Sequence, residues 1–191
     1  AINAEQVRAL EGADFRDRLV PYLADVYPDP TGETAQRPLV SAASFDRLSG
    51  REQRILDAAA PLIQTRIQLL RECRDMLAFL FVSDDDLGID DRAGARLKDS
   101  AVDVLDAGIH ALEGLGAEQW NKSHLEEVLR SAIVEGRAMP DGEGIKPRLA
   151  YGPLRVAVTG RQVSPPLFES MEILGADSTL ARLRALRNQL G

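Results

Sequence analysis

Arg155, Arg161 and Ser164 crowd the dipeptide Pro165-Pro166, with Lys146 and Arg148 shortly before them. A guanidinium offers five N–H donors in a rigid fork, and a hydroxyl can donate or accept. Such a set grips anions and hydrogen-bond acceptors; it holds neither a nucleophile nor a general base. The chemistry it offers is recognition. Arg66, on an earlier apolar segment, is a further guanidinium of the same kind.

Groups that could make or break bonds are scarce. The chain has two histidines and one cysteine. His110 adjoins the stripe Val102, Leu105, Ile109, Leu112 without a Cys or acidic partner at ligand spacing, and His124 sits at the expected start of a helix, so both have structural readings. Cys73 lies on an apolar helical face and reads as a packed thiol. Five aspartates occur among the nine residues Ser83 to Asp91. They lack the alternation and the closing glutamate of a calcium loop, so helix capping and solvated charge are expected instead. No Gly-rich phosphate loop, His-Glu-x-x-His, Cys-x-x-Cys or Gly-x-Ser-x-Gly elbow is present. The chain is expected to carry no catalytic residue and no metal site.

These side chains must be positioned by helices. Ser164 is expected to cap a helix with Pro165 and Pro166 at its first positions, where proline's missing N–H costs nothing. Leu167, Met171 and Leu174 follow at helical spacing, and Gly175 stops the run. Before it, Pro153 opens an apolar run from Leu154 to Thr159 that ends at Gly160, which gives two short helices joined by the elbow Gly160 to Ser164. Asn3 with Gln6, Ser49 with Glu52, and Ser123 with Glu126 read as three capping boxes. Phe15, Leu19 and Leu23 share one face of a helix from about Asp14 that Pro21 should kink or shorten. The helix after Ser49 is expected to break at Pro61, and another to run through Arg66, Leu69, Leu70, Cys73, Leu77 and Leu80. Tyr27 to Pro38 and Met139 to Gly144 read as loops. The last helix, about Asp177 to Leu190, points Leu180, Leu183, Leu186 and Leu190 inward and keeps Arg182, Arg184 and Arg187 off that face. No segment alternates as a strand, and the expected fold is all-α, a helical bundle of two small subdomains.

Composition fits this reading. Hydrophobic residues make up 45% of the 191 and charged ones 28%, which is ordinary for a soluble protein. No apolar run reaches the roughly 20 residues that span a bilayer. A single cysteine excludes an internal disulfide and suits a reducing cytoplasm. The opening Ala1-Ile2-Asn3 has no initiator methionine, which points to an excised piece or a processed start. The net charge of −7 argues against a general polyanion binder, yet Lys146 to Gly191 holds seven basic residues against three acids. A basic end on an acidic body permits a local polyanion contact.

The residues Pro153-Leu154-Arg155-Val156-Ala157-Val158-Thr159-Gly160, then Ser164-Pro165-Pro166-Leu167-Phe168, then Leu174-Gly175 resemble the C-terminal signature of bacterial glutamyl-tRNA synthetases. Thr65 to Glu72, ending in Phe79-Leu80-Phe81, is similar to the helix that opens the anticodon-binding region there. Ile2-Asn3 with Val7-Arg8 looks like the stretch leaving the catalytic half, with Ala4 in place of the usual glycine. The loop Met139 to Gly144 departs from the family pattern. The class I ATP signatures His-x-Gly-His and Lys-Met-Ser-Lys-Ser are absent.

The resemblance implies a helical subdomain over 1–82, following a catalytic part not contained in this sequence, and a helical anticodon-binding subdomain over 83–191. It implies glutamate tRNA and the parent's catalytic domain as partners, with no membrane and no DNA, and a cytoplasmic location. ATP, magnesium and glutamate are implied for the parent enzyme alone, with no cofactor for this chain. Base contacts would fall on Arg66, Arg155, Ser164, Pro165 and Leu167, and backbone contacts on Arg161 and Lys146. Arg66 is the position that would select cytosine at the third anticodon base, as in enzymes that charge glutamate tRNA alone. The rival reading is a helical protein-interaction module with no RNA role, which accommodates the net charge of −7 directly.

Overall fold

The computed structural model describes residues 4–25, 37–97 and 99–191, and among them every regular element is helical. The chain forms two compact units, Ala1–Val82 and Ser83–Gly191. The cap expected at Asn3 and most of the loop expected from Tyr27 lie outside the described residues.

The first unit contains α1 (Ala4–Ala9), α2 (Gly12–Leu23), α3 (Gly50–Ile63) and α4 (Cys73–Leu77). Phe15, Leu19 and Leu23 repeat every four residues on α2, and all three are buried with Leu56, Ile63 and Leu77. Full burial of each such side chain is worth about 1.5–3 kcal/mol. Ser49 starts α3 with the predicted capping box: its hydroxyl accepts the Glu52 N–H at 3.3 Å, and the Glu52 carboxylate accepts the Ser49 N–H at 2.8 Å. Ser41 adds its N–H and its hydroxyl to the same carboxylate, both at 2.6 Å. Burial pushes the Glu52 carboxyl up, but these hydrogen bonds outweigh it and hold the group below its ordinary value.

Two expectations in this unit are corrected. Pro61 lies inside α3, which runs on to Ile63 and does not break there, while Pro21 lies inside α2, which ends two residues later at Leu23. Each proline forgoes its own N–H bond and crowds the carbonyl four residues back, and each helix stops two residues later. Arg66 is not on a helix. It stands in the turn after α3, where its N–H donates to the Ile63 carbonyl at 2.8 Å. The chain breaks there because Ile67 turns inward to be buried and the Gln68 N–H is taken by the Glu72 carboxylate at 2.8 Å. Cys73 is buried as expected, and burial pushes its thiol up.

The second unit contains α5 (Asp91–Gly94), α6 (Ala101–Glu113), α7 (Lys122–Leu129), α8 (Pro147–Thr159), α9 (Leu167–Leu174) and α10 (Ala176–Leu190). Helix α6 packs against α8 and α10, and α7 against α9. Leu105, Leu112, Leu125, Leu129, Leu154, Val158, Met171 and Leu183 form the core. The cap of α7 is Asn121, whose side chain accepts the His124 N–H at 3.2 Å, not Ser123. Trp120, just upstream, donates its indole N–H to the Met171 carbonyl at 3.0 Å and fixes that start point.

Two further corrections concern charge. Arg182 is only 3% exposed: its Nε donates to Asp84 Oδ1 at 2.6 Å and its Nη1 to the Val158 carbonyl at 2.9 Å. Arg184 pairs with Glu113 at 2.5 Å, and Arg187 grips Asp106 with two nitrogens at 2.8 and 3.0 Å. The basic excess of the last helix is thus consumed within its own unit. The aspartate run is structural too, since Asp84 holds Arg182, Asp86 accepts the Ser83 hydroxyl, and Asp90 caps α5.

Candidate nucleic-acid interface

Helix α8 begins at Pro147, six residues before the expected Pro153, which lies inside it. Proline at the first position needs no N–H partner. Within the helix, Pro153 denies the Leu149 carbonyl its intrahelical donor. The loop before α8 is cinched: the Ile145 N–H donates to the Ile133 carbonyl at 3.2 Å, and a Cβ on Gly144 would lie 1.9 Å from the Val134 carbonyl oxygen. That closeness delivers Lys146 to the start of α8.

Gly160 ends α8 with φ of +72°, as its position predicts. A Cβ there would meet the Gly88 carbonyl oxygen at 2.2 Å, and the Asp90 N–H donates to the Gly160 carbonyl at 2.8 Å. The turn is thereby docked onto the aspartate-rich segment. The Thr159 hydroxyl accepts the Arg161 N–H at 3.2 Å and lies 2.8 Å from the Arg155 carbonyl, which tightens the same turn.

Ser164 does not cap α9. That helix starts at Leu167 with Pro166 before it, and no side chain caps it. The Ser164 hydroxyl is 4% exposed and accepts Arg155 Nη1 at 2.6 Å, while the same Nη1 lies 2.9 Å from the Pro165 carbonyl. A proline carbonyl fixed by a second proline is a rigid acceptor. Arg155 is half-buried and its fork is oriented by the corner it reaches across. Pro165 and Leu167 are themselves buried, so within this chain they shape the corner.

A groove of about 1120 Å³ opens beside α8. Its cationic lining is Arg96, Lys146, Arg148 and Arg155, and none of its described lining residues is acidic. Leu149 and Val163, respectively 48% and 74% exposed, line the same groove. Arg96 Nη1 donates to Gln162 Oε1 at 2.6 Å. Tyr151, also in the lining, packs edge-on to Phe168 with ring centroids 5.2 Å apart. Positive charge beside exposed apolar surface suits an anionic ligand with flat apolar faces.

Of the sequence-derived candidates, the groove brings together Lys146 and Arg155, with Ser164 and Pro165 behind Arg155. Arg161 is exposed on the elbow and outside the lining. Arg66 belongs to the first unit, where it is exposed. Arg96 was not legible as a groove residue because it lies nearly sixty residues upstream of Arg155, and Arg148 read only as part of the local basic excess.

Comparison with known proteins adds a family. A family model described as an anticodon binding domain matches residues 14–187. The chain is 50% identical over 190 residues to a glutamate–tRNA ligase of Kocuria rhizophila, and 47% identical to one of Bifidobacterium adolescentis; it is covered in full in both, and covers 33% and 34% of those proteins. It therefore spans about a third of the length of the curated relatives it matches. Among solved structures, a glutamate tRNA ligase from Elizabethkingia meningosepticum in complex with its amino acid aligns with a TM-score of 0.62 at 15% identity, over 99% of this chain and 31% of that one. That likeness supports the all-helical fold. With the family match running from α2 nearly to the end of α10, the chain belongs to the anticodon binding domain family.

Proposed function

We propose that this chain is the anticodon-reading part of a glutamate–tRNA ligase, serving a catalytic domain that joins glutamate to its tRNA with ATP and magnesium in the cytoplasm. The observation that carries the reading is the Arg155 fork, held by the Ser164 hydroxyl and the Pro165 carbonyl at a groove with cationic and no acidic described lining. Anticodon bases are unpaired and can be splayed onto a protein, where base-edge hydrogen bonds and stacking identify them. A fork set in advance loses little freedom on binding, so it discriminates well.

In this reading Arg155 contacts a base, Ser164, Pro165 and Leu167 form the corner that presents it, and Lys146 and Arg161 meet the RNA backbone. Arg66 contacts the third anticodon base and makes the parent a discriminating enzyme. Its exposed side chain has no hydrogen-bond or ion-pair partner among the described residues. The chain's own residues bind and orient; the bond-making chemistry belongs to the rest of the parent. Titration of the chain with glutamate tRNA by filter binding tests the proposal. Binding that weakens as salt rises, at about −0.7 in log K per phosphate contact, is expected. A flat salt response would contradict an RNA partner.

A further inference from the structure

We propose that Arg96 is a phosphate-contacting residue of the groove, docked on Gln162 until RNA replaces that neutral partner. The inference rests on reading the groove as an RNA site. It starts from how the cations of the second unit are partnered. Lys122, Arg182, Arg184 and Arg187 are each neutralised by a carboxylate, from Glu169, Asp84, Glu113 and Asp106. Arg96, Lys146 and Arg148 in the groove, like Arg92 outside it, have no carboxylate partner among the described residues. In a chain with 30 acids against 23 lysines and arginines, three cations of this groove thus stand without a carboxylate among the described residues.

Arg96 differs from its neighbours because its direction is already set. It stands just past α5, outside helix α8, and spans 66 positions in sequence to donate to Gln162 at 2.6 Å. A carboxamide oxygen takes one of the five guanidinium N–H groups and none of the charge. Both residues are exposed, so the bond exchanges readily with solvent. A phosphate oxygen offers the same acceptor geometry with a charge-assisted bond, roughly twice as strong, and room for a bidentate contact. Gln162 therefore acts as a placeholder: it holds the fork toward the groove without cancelling the field that attracts the RNA. A phosphate contact also fits the division of labour. Arg155, braced at the proline corner, has the rigidity that base reading needs. Arg96, on an exposed turn, has the adaptability that a backbone contact tolerates.

The test is filter binding over a range of salt, using glutamate tRNA and the same tRNA with its anticodon bases changed, against the wild type, Arg96→Gln and Gln162→Ala. Arg96 is exposed, so Arg96→Gln should melt at the wild-type temperature. Its binding to both RNAs should weaken by the same factor, and its salt slope should be shallower by about 0.7, one single-strand phosphate contact. Gln162→Ala should leave the slope unchanged. Wild-type binding with a steep slope that Arg96→Gln shares in full would overturn the proposal, as would a loss confined to one anticodon sequence. Absence of wild-type binding would remove the RNA reading, and the role of Arg96 with it.

Discussion

The Arg155 guanidinium reaches across the corner between α8 and α9 and donates to the buried hydroxyl of Ser164 at 2.6 Å. The serine expected to start a helix instead fixes an arginine. Because a Ser164→Ala change removes an acceptor and leaves Arg155 held by the Pro165 carbonyl alone among these two, it should act through Arg155. Arg155→Ala is expected to weaken binding of glutamate tRNA by about 1–3 kcal/mol, the scale of a good base contact. Ser164→Ala should cost about 1 kcal/mol, and nothing further in the Arg155→Ala background. A double-mutant cycle measured by tRNA binding checks this; additive losses would mean that Ser164 acts independently.

Gly152 within α8 and Gly160 just past its end make a contrasting pair. Gly160 has φ of +72° and no room for a Cβ against the Gly88 carbonyl, whereas a Cβ on Gly152 would meet nothing from other segments and only the adjoining Pro153 ring and its own helix bound it. Gly160→Ala should destabilise the second unit by about 2 kcal/mol or more, from left-handed strain and backbone displacement. Gly152 is helical and directly precedes Pro153, whose Cδ crowds any Cβ on the residue before it, so Gly152→Ala should bring no gain, the strain offsetting the roughly 0.5–1 kcal/mol of better helix propensity. Urea unfolding should lower the midpoint of Gly160→Ala clearly below that of Gly152→Ala, and equal midpoints would contradict the strain at Gly160.

Arg182 joins the last helix to the segment that also docks Gly160. Its side chain is 2% exposed while that of Asp84 is 34% exposed. Removing Asp84 strands a buried cation; removing Arg182 leaves a carboxylate that can still reach water. Asp84→Ala is therefore expected to cost about 2–3 kcal/mol, while Arg182→Met, which replaces the charge with apolar volume, should cost less. Thermal unfolding followed by circular dichroism ranks the two, and the reverse order would contradict this view of the pair.

Glu52 gives the first unit a pH signature. Its folded carboxyl titrates below its ordinary 4.5, so the folded state binds fewer protons than the unfolded one in that region. The stabilisation is present above the unfolded value and is lost as pH falls through the folded one. Glu52→Gln should thus destabilise by about 1 kcal/mol at pH 7, and the gap from wild type should narrow steadily below about pH 4.5. A gap that stays constant down to pH 3 would show that the charge contributes nothing.

Local chemistry was readable in advance, and tertiary capture was not. The Ser49–Glu52 box, the Gly160 stop and the apolar faces of α2 and α4 follow from residues within a few positions of each other. Arg182 looked like a surface arginine because its partner lies 98 positions away. Ser164 satisfied the rules for a cap, but Arg155 competes for its hydroxyl. Arg66 sat in an apolar periodic run, yet burial of Ile67 and the Glu72 cap on Gln68 break the helix there. The groove itself is formed by segments on both sides of Ser100, which no spacing rule joins.

The central claim is that Arg155 reads an anticodon base. Its most direct test is the ratio of affinities for glutamate tRNA and for the same tRNA carrying a changed anticodon, measured for wild type and for Arg155→Ala. A ratio that falls by about tenfold or more in the variant, with the helical fold retained by circular dichroism, is the predicted result. A ratio that stays the same while both affinities fall together would reduce Arg155 to a backbone contact and contradict the account.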